Sequence, residues 1–117
     1  MSIAGWQDAL REVTGVAGVR GALIISAEDG LVIAETAMDD LATADVAALS
    51  AALVSRARRC TAALHATPPD SVHLVGERGA VLAVAGPAPL WLVAVARDDA
   101  ELGRLRLVLR DAAGALH

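Results

Sequence analysis

Cys60, three histidines and three acidic pairs carry the side chains of this sequence suited to nucleophilic, acid–base or metal chemistry. His65, His73 and His117 fall on an expected helix end, an expected strand and the C-terminus. None has a partner at metal-ligand spacing on the same element. Cys60 lies on an expected apolar helix stripe, where a free cysteine behaves as a small hydrophobe. A nucleophilic role would require a neighbouring base, which spacing does not supply. Glu28-Asp29 fits a turn, and Asp39-Asp40 and Asp98-Asp99 fit helix starts. Each pair is accounted for by turn chemistry or by the helix dipole. Gly15, Gly18 and Gly21 follow a helix and open a strand, the reverse of a dinucleotide fingerprint. Neither a G-x-x-x-x-G-K-[ST] loop nor a G-x-S-x-G elbow occurs. The expectation is a protein without catalytic residues, cofactor or metal.

The elements around these residues are more informative. Ala22-Leu23-Ile24-Ile25-Ser26 and Leu31-Val32-Ile33-Ala34 flank Ala27-Glu28-Asp29-Gly30. An Asp-Gly pair between β-branched runs signals a hairpin, because glycine tolerates the positive φ of the turn. Before it, Ile3, Trp6, Leu10 and Val13 recur at helical spacing, predicting a helix over 3–13 with Ser2 as cap. Thr14-Gly15 is expected to end it.

A second helix is expected from about Ala42 to His65, capped by Asp40 or Thr43. Val46, Leu49, Leu53, Ala57, Cys60 and Leu64 share one face and are expected to form its core stripe. Ala47, Ala51, Val54 and Arg58 then form the outer face, which is unusually apolar for exposure. Arg56, Arg58 and Arg59 complement the dipole at the helix end.

Pro68-Pro69 breaks that helix. Ser71–Val75, Ala80–Ala85 and Leu90–Ala96 read as three strands joined by Gly-containing turns. A third helix is expected from near Asp98 to Ala115, with Asp98 and Glu101 at the spacing of a reciprocal cap. Its stripe is Leu102, Leu105, Leu109 and Ala112. Short turns within each strand group require antiparallel neighbours. Strands apolar on both faces require cover on both. The predicted fold is α+β: one domain over 1–117, order αββαβββα, with a five-stranded antiparallel sheet and helices on both faces.

With 117 residues, the chain suits one domain. The sequence is 56% hydrophobic with Trp6 and Trp91 its only aromatics, so the core is built of Ala, Val, Leu and Ile. A net charge of −4 and the lack of stacking platforms argue against nucleic-acid binding. One cysteine excludes an intrachain disulfide and fits a reducing compartment. The N-terminus lacks signal-peptide character. Apolar runs stop short of the roughly 18 residues of a membrane span. These features lead to the expectation of a cytoplasmic protein without membrane insertion.

Thr14-Gly15-Val16-Ala17-Gly18-Val19-Arg20-Gly21-Ala22 after the first helix, the Asp29-Gly30-Leu31-Val32-Ile33-Ala34 hairpin, and Ser71-Val72-His73-Leu74 are the telling stretches. Together they resemble the Roadblock/dynein light-chain domain family, in its stand-alone bacterial branch similar to MglB. The alanine-rich second helix and the closing helix with Gly103-Arg104-Leu105-Arg106 keep the family's order. The resemblance implies a non-enzymatic homodimer, or a pairing with a related Roadblock protein. In that pairing third strands join and second helices pack side by side. It implies a small Ras-like GTPase as partner. On this chain the implied dimer interface is Ala47, Ala51, Val54, Ser71, His73 and Val75. The expected partner-binding residues are Val54, Arg58 and Arg59. The competing expectation is a small-ligand sensor with an apolar pocket.

Overall fold

The computed structural model describes residues 3–38 and 40–116. The Ser2 cap, Asp39 and His117 lie outside the described residues. In chain order the elements are α1 (Ile3–Thr14), β1 (Val19–Ser26), β2 (Val32–Ala37), α2 (Thr43–Ala63), β3 (Ser71–Gly76), β4 (Gly79–Ala85), β5 (Leu90–Arg97) and α3 (Leu102–Gly114). The strands form one antiparallel sheet in the order β2-β1-β5-β4-β3. Order αββαβββα and helices on both faces are as expected. The central β1–β5 pair joins the two strand groups and puts β2 and β3 at opposite edges.

The hairpin turn forms as its chemistry dictates. Gly30 has φ 71°, and its N–H donates to the Ser26 carbonyl at 2.8 Å. The Asp29 Oδ1 accepts from the Leu31 N–H at 3.3 Å. Beyond the turn, β2 slips register opposite Ile24 and Ile25, so Ile33 has no opposed residue. Such a bulge bends an edge and discourages pairing with another chain. β3 has no such interruption: it pairs with β4 continuously from Ser71↔Val84 to Gly76↔Gly79.

Helix ends differ from the sequence-based expectation. α2 starts after Ala42 and α3 after Glu101, neither with a side-chain cap bond. Asp98 therefore precedes the α3 cap position instead of occupying it. At the other end of α2, His65 adopts φ 56°, and the Ala66 N–H donates to the Thr61 carbonyl at 2.8 Å. This left-handed residue stops α2 before the prolines are reached. The left-handed glycine after α1 is Gly18 (φ 90°) and not Gly15. A Cβ at Gly18 would come within 2.7 Å of the Ala100 side chain.

Two cores flank the sheet. On one face α1 and α3 cover Ala22, Ile24, Leu82, Leu92 and Ala94 with Leu10, Val13, Leu105 and Leu109. On the other face α2 alone covers Leu23, Ile25, Ala83, Trp91 and Val93. It does so with Ala47, Ala51 and Val54. Two helices lie on one face and one on the other, so the α2 face is incompletely covered toward β3 and β4.

Candidate interaction surface

α2 faces the sheet with the side opposite to that expected. Ala47 and Val54 are fully buried, and Ser50 and Ala51 nearly so. Leu49 is 70% and Leu64 72% exposed, and Cys60 is exposed. Side-chain size explains the reversal. Both sides of α2 are apolar, so hydrophobicity does not choose between them. The sheet beneath presents Leu23, Ile25, Trp91 and Val93, which are large. Small residues let the helix settle onto them at interior packing density. At Gly30 a Cβ would lie 3.4 Å from the Ala48 Cα and 3.5 Å from the Ala51 Cβ. Ala47, Ala51 and Val54 are therefore core residues. Their assignment to an outer dimer surface, and that of Val54 to partner binding, is corrected by this burial.

The larger residues point outward instead. Val46, Leu49, Leu53 and Arg56 of α2 form one wall of an open hollow of about 430 Å³. Leu74 of β3 and Val81 of β4 line its other side. A second hollow of about 390 Å³ continues along the sheet past Leu74 and Val81 to Val95, Arg20 and Arg78. Together they mark the part of the α2 face that α2 leaves open. Leu49 and Leu53, expected in the core, thus share one open surface with Leu74, which belongs to the strand expected to join a second chain. The signal in the sequence is that α2 carries two apolar faces, of which the sheet covers one.

At the adjoining edge, the register determines which backbone groups of β3 are free. Ala85 N–H donates to the Asp70 carbonyl at 2.8 Å, and these residues are opposed in the ladder. Hydrogen-bonded pairs alternate along an antiparallel ladder. Val72, Leu74 and Gly76 thus bond toward β4. Ser71, His73 and Val75 turn their backbone N–H and C=O away from the sheet. The structure brings these three together on one edge, and His73 and Val75 are exposed.

His73 opposes Leu82 and lies on the α3 side of the sheet, whereas Leu74 opposes Val81 on the α2 side. Partial desolvation of this exposed side chain, followed by the positive charges of Arg106 and Arg110, lowers the His73 pKa below its usual 6.5. Arg110 is 3.8 Å from Asp70. On α2, the Arg58 guanidinium sits 5.9 Å above the Trp91 ring, a cation–π distance. Arg59 is exposed beside it. Sequence reading finds both arginines but not the Trp91 shelf, which depends on β5 lying under α2.

Asp40 bonds Arg20 at 3.0 Å, and Asp99 lies 3.6 Å from Arg97. Among the described residues no group of His, Cys, Asp and Glu is placed to hold a metal. No helix of the described residues is long and apolar enough to cross a membrane.

The Roadblock/LC7 domain profile matches residues 6–94. The chain belongs to the Roadblock/LC7 domain family. Solved structures agree on the fold. The MglB of Myxococcus xanthus is 15% identical, with 98% of this chain and 94% of that chain covered and a TM-score of 0.87. The gliding protein MglB from Thermus thermophilus is 23% identical, with coverages of 97% and 86% and a TM-score of 0.87. A Roadblock/LC7 domain from Streptomyces avermitilis is 19% identical, with coverages of 90% and 88% and a TM-score of 0.81. No curated protein sequence matches the chain. The family profile ends within β5, and α3 follows it as the fold's closing helix.

Proposed function

We propose that this Roadblock/LC7 chain is a non-enzymatic regulatory scaffold that pairs with itself or a related Roadblock chain and binds a small Ras-like GTPase. The observation that carries the pairing is the continuity of two unfilled features. The uninterrupted β3 edge with outward Ser71, His73 and Val75 runs directly beside the apolar hollow between α2 and Leu74. An edge of this kind in a lone protomer is an aggregation template. A second copy related by a twofold axis satisfies it through a closed, self-complementary contact. The same operation brings the second copy's α2 toward the uncovered sheet, where Leu49 and Leu53 have apolar surface to bury. One related structure is described as MglB with a tetrameric arrangement, which supports self-association as a property of the fold.

The GTPase reading rests on similarity to the MglB branch. Arg58, fixed over Trp91, and Arg59 offer cations at the end of the α2 surface. They meet a mixed or acidic surface on the partner. Any effect on hydrolysis then comes from holding the GTPase's own switch segments. The ligand-sensor reading has less support, because the hollow is open and its polar lining is limited to Ser50 and Arg56.

The test is binding of the purified chain to a small Ras-like GTPase from the same genome, loaded with GDP or a non-hydrolysable GTP analogue. Binding that depends on the nucleotide state supports the proposal. Absence of binding in both states, with a thermal-shift response to a small apolar ligand, favours the sensor.

A further inference from the structure

On its α3 side the β3 edge presents His73 to the field of two arginines of α3, Arg106 and Arg110. Resting on the proposed pairing through β3, we propose that protonation of His73 opposes self-association, so that the assembly loosens in mild acid. The placement follows from strand geometry. Directly opposed side chains of an antiparallel pair lie on the same face of the sheet, and residues alternate faces along a strand. A twofold axis normal to the sheet must therefore pass through a residue position of β3. The two placements that overlap most of Ser71–Gly76 centre on His73 or on Leu74. The first sets the two His73 side chains directly opposite, with Cβ atoms about 4.5–5.5 Å apart. The second makes them diagonal neighbours at about 7–8 Å. Either register gathers both histidines on the α3 side.

The groups facing them are cationic. Arg106 and Arg110 of α3 act on His73 within each protomer. The opposed β4 residue, Leu82, is uncharged, as are Ser71 and Val75 on the same side of β3. Arg110 itself lies 3.8 Å from the Asp70 carboxylate just before β3. Pairing adds a second histidine and second arginines and removes water. Each change disfavours the imidazolium.

The sign follows from linkage. The paired state binds fewer protons at His73 than the separate protomers do. Association is therefore at full strength above the histidine's pKa in the protomer, which lies below 6.5, and weakens as pH falls through it. Each histidine that must release a proton contributes up to about tenfold per pH unit below that pKa.

Sedimentation velocity between pH 7.5 and 5.0 tests this, with circular dichroism at each pH to follow folding. The wild-type dimer dissociation constant is expected to rise at least about tenfold across this range while the fold persists. His73→Gln is expected to flatten that rise to within about twofold. The double variant Arg106→Gln/Arg110→Gln is expected to make it shallower, and it decides the matter should His73→Gln fail to associate. A wild-type dimer of unchanged affinity across the range overturns the acid response alone. So does a full wild-type response in His73→Gln or in the arginine variant. A wild-type chain that is monomeric at pH 7.5 overturns the pairing itself.

Discussion

Leu49 on α2 and Leu74 on β3 line opposite sides of one hollow, yet each is more than half exposed, at 70% and 58%. Under the proposed pairing these two leucines gain apolar cover from the second chain. Burying one such side chain is worth roughly 1.5–3 kcal/mol. Leu49→Asp should therefore leave the protomer's thermal stability within about 0.5 kcal/mol of wild type, as for surface substitutions generally. It should shift the chain to monomer by light scattering. A dimer of unchanged affinity would remove Leu49 from the interface.

The opposite side of the same helix should behave differently. Ala51 is packed among core residues against the sheet, and Val54 is fully buried. Ala51→Glu and Val54→Asp place a charge where no partner exists, costing upward of about 3 kcal/mol of folding stability. Both variants should lower the denaturant midpoint sharply, or fail to fold, at any protein concentration. If either folds as a stable monomer, the burial of that face is wrong.

Backbone direction on β3 yields a sharper contrast. The N–H groups of His73 and Val75 point away from β4, while that of Leu74 bonds toward it. Proline removes the donor it replaces and is tolerated in a sheet only on an outward-facing edge position. Val75→Pro should abolish association with modest loss of protomer stability, whereas Leu74→Pro should destabilise the protomer itself. Chemical denaturation of the two variants at equal concentration separates these outcomes. Equal destabilisation would contradict the assigned direction.

Arg58 and Arg59 test partner docking apart from pairing. Arg58 is exposed and held over Trp91, so Arg58→Glu reverses a surface charge at the cost of one cation–π contact on the rim of the core. The Arg58→Glu/Arg59→Glu variant should remain a dimer and bind the GTPase at least about tenfold more weakly, the range of desolvated charge pairs. Unchanged affinity would place the docking surface elsewhere.

How much of this the sequence discloses differs from element to element. The hairpin at Asp29-Gly30 is legible because its turn demands a positive φ that few residues tolerate. Element order and strand directions follow from short turns. Alternation places Ser71, His73 and Val75 on one face, but that β3 is an edge is implied in the sequence only by the family resemblance and follows here from the strand order. Periodicity reads α2 back to front. Its two faces are similarly apolar, and periodicity measures how unequal the faces are, not which one meets the sheet. The deciding quantity is the bulk of Leu23, Ile25 and Trp91 beneath it, which only the assembled sheet reveals. The hollow at Leu49, Leu53 and Leu74 is hidden for the same reason. The helix caps fail differently: Asp98 has the right spacing from Glu101, but α3 begins later, after Glu101 itself.

The central claim is that β3 joins a second chain along its outward edge. Amide hydrogen exchange at Ser71, His73 and Val75, followed as a function of protein concentration at pH 7.5, tests it directly. Pairing predicts that all three amides become protected as concentration rises, while the bulged β2 edge at Ile33 exchanges at a concentration-independent rate. Fast, concentration-independent exchange at His73 and Val75 in a protein that sediments as a dimer would contradict the account.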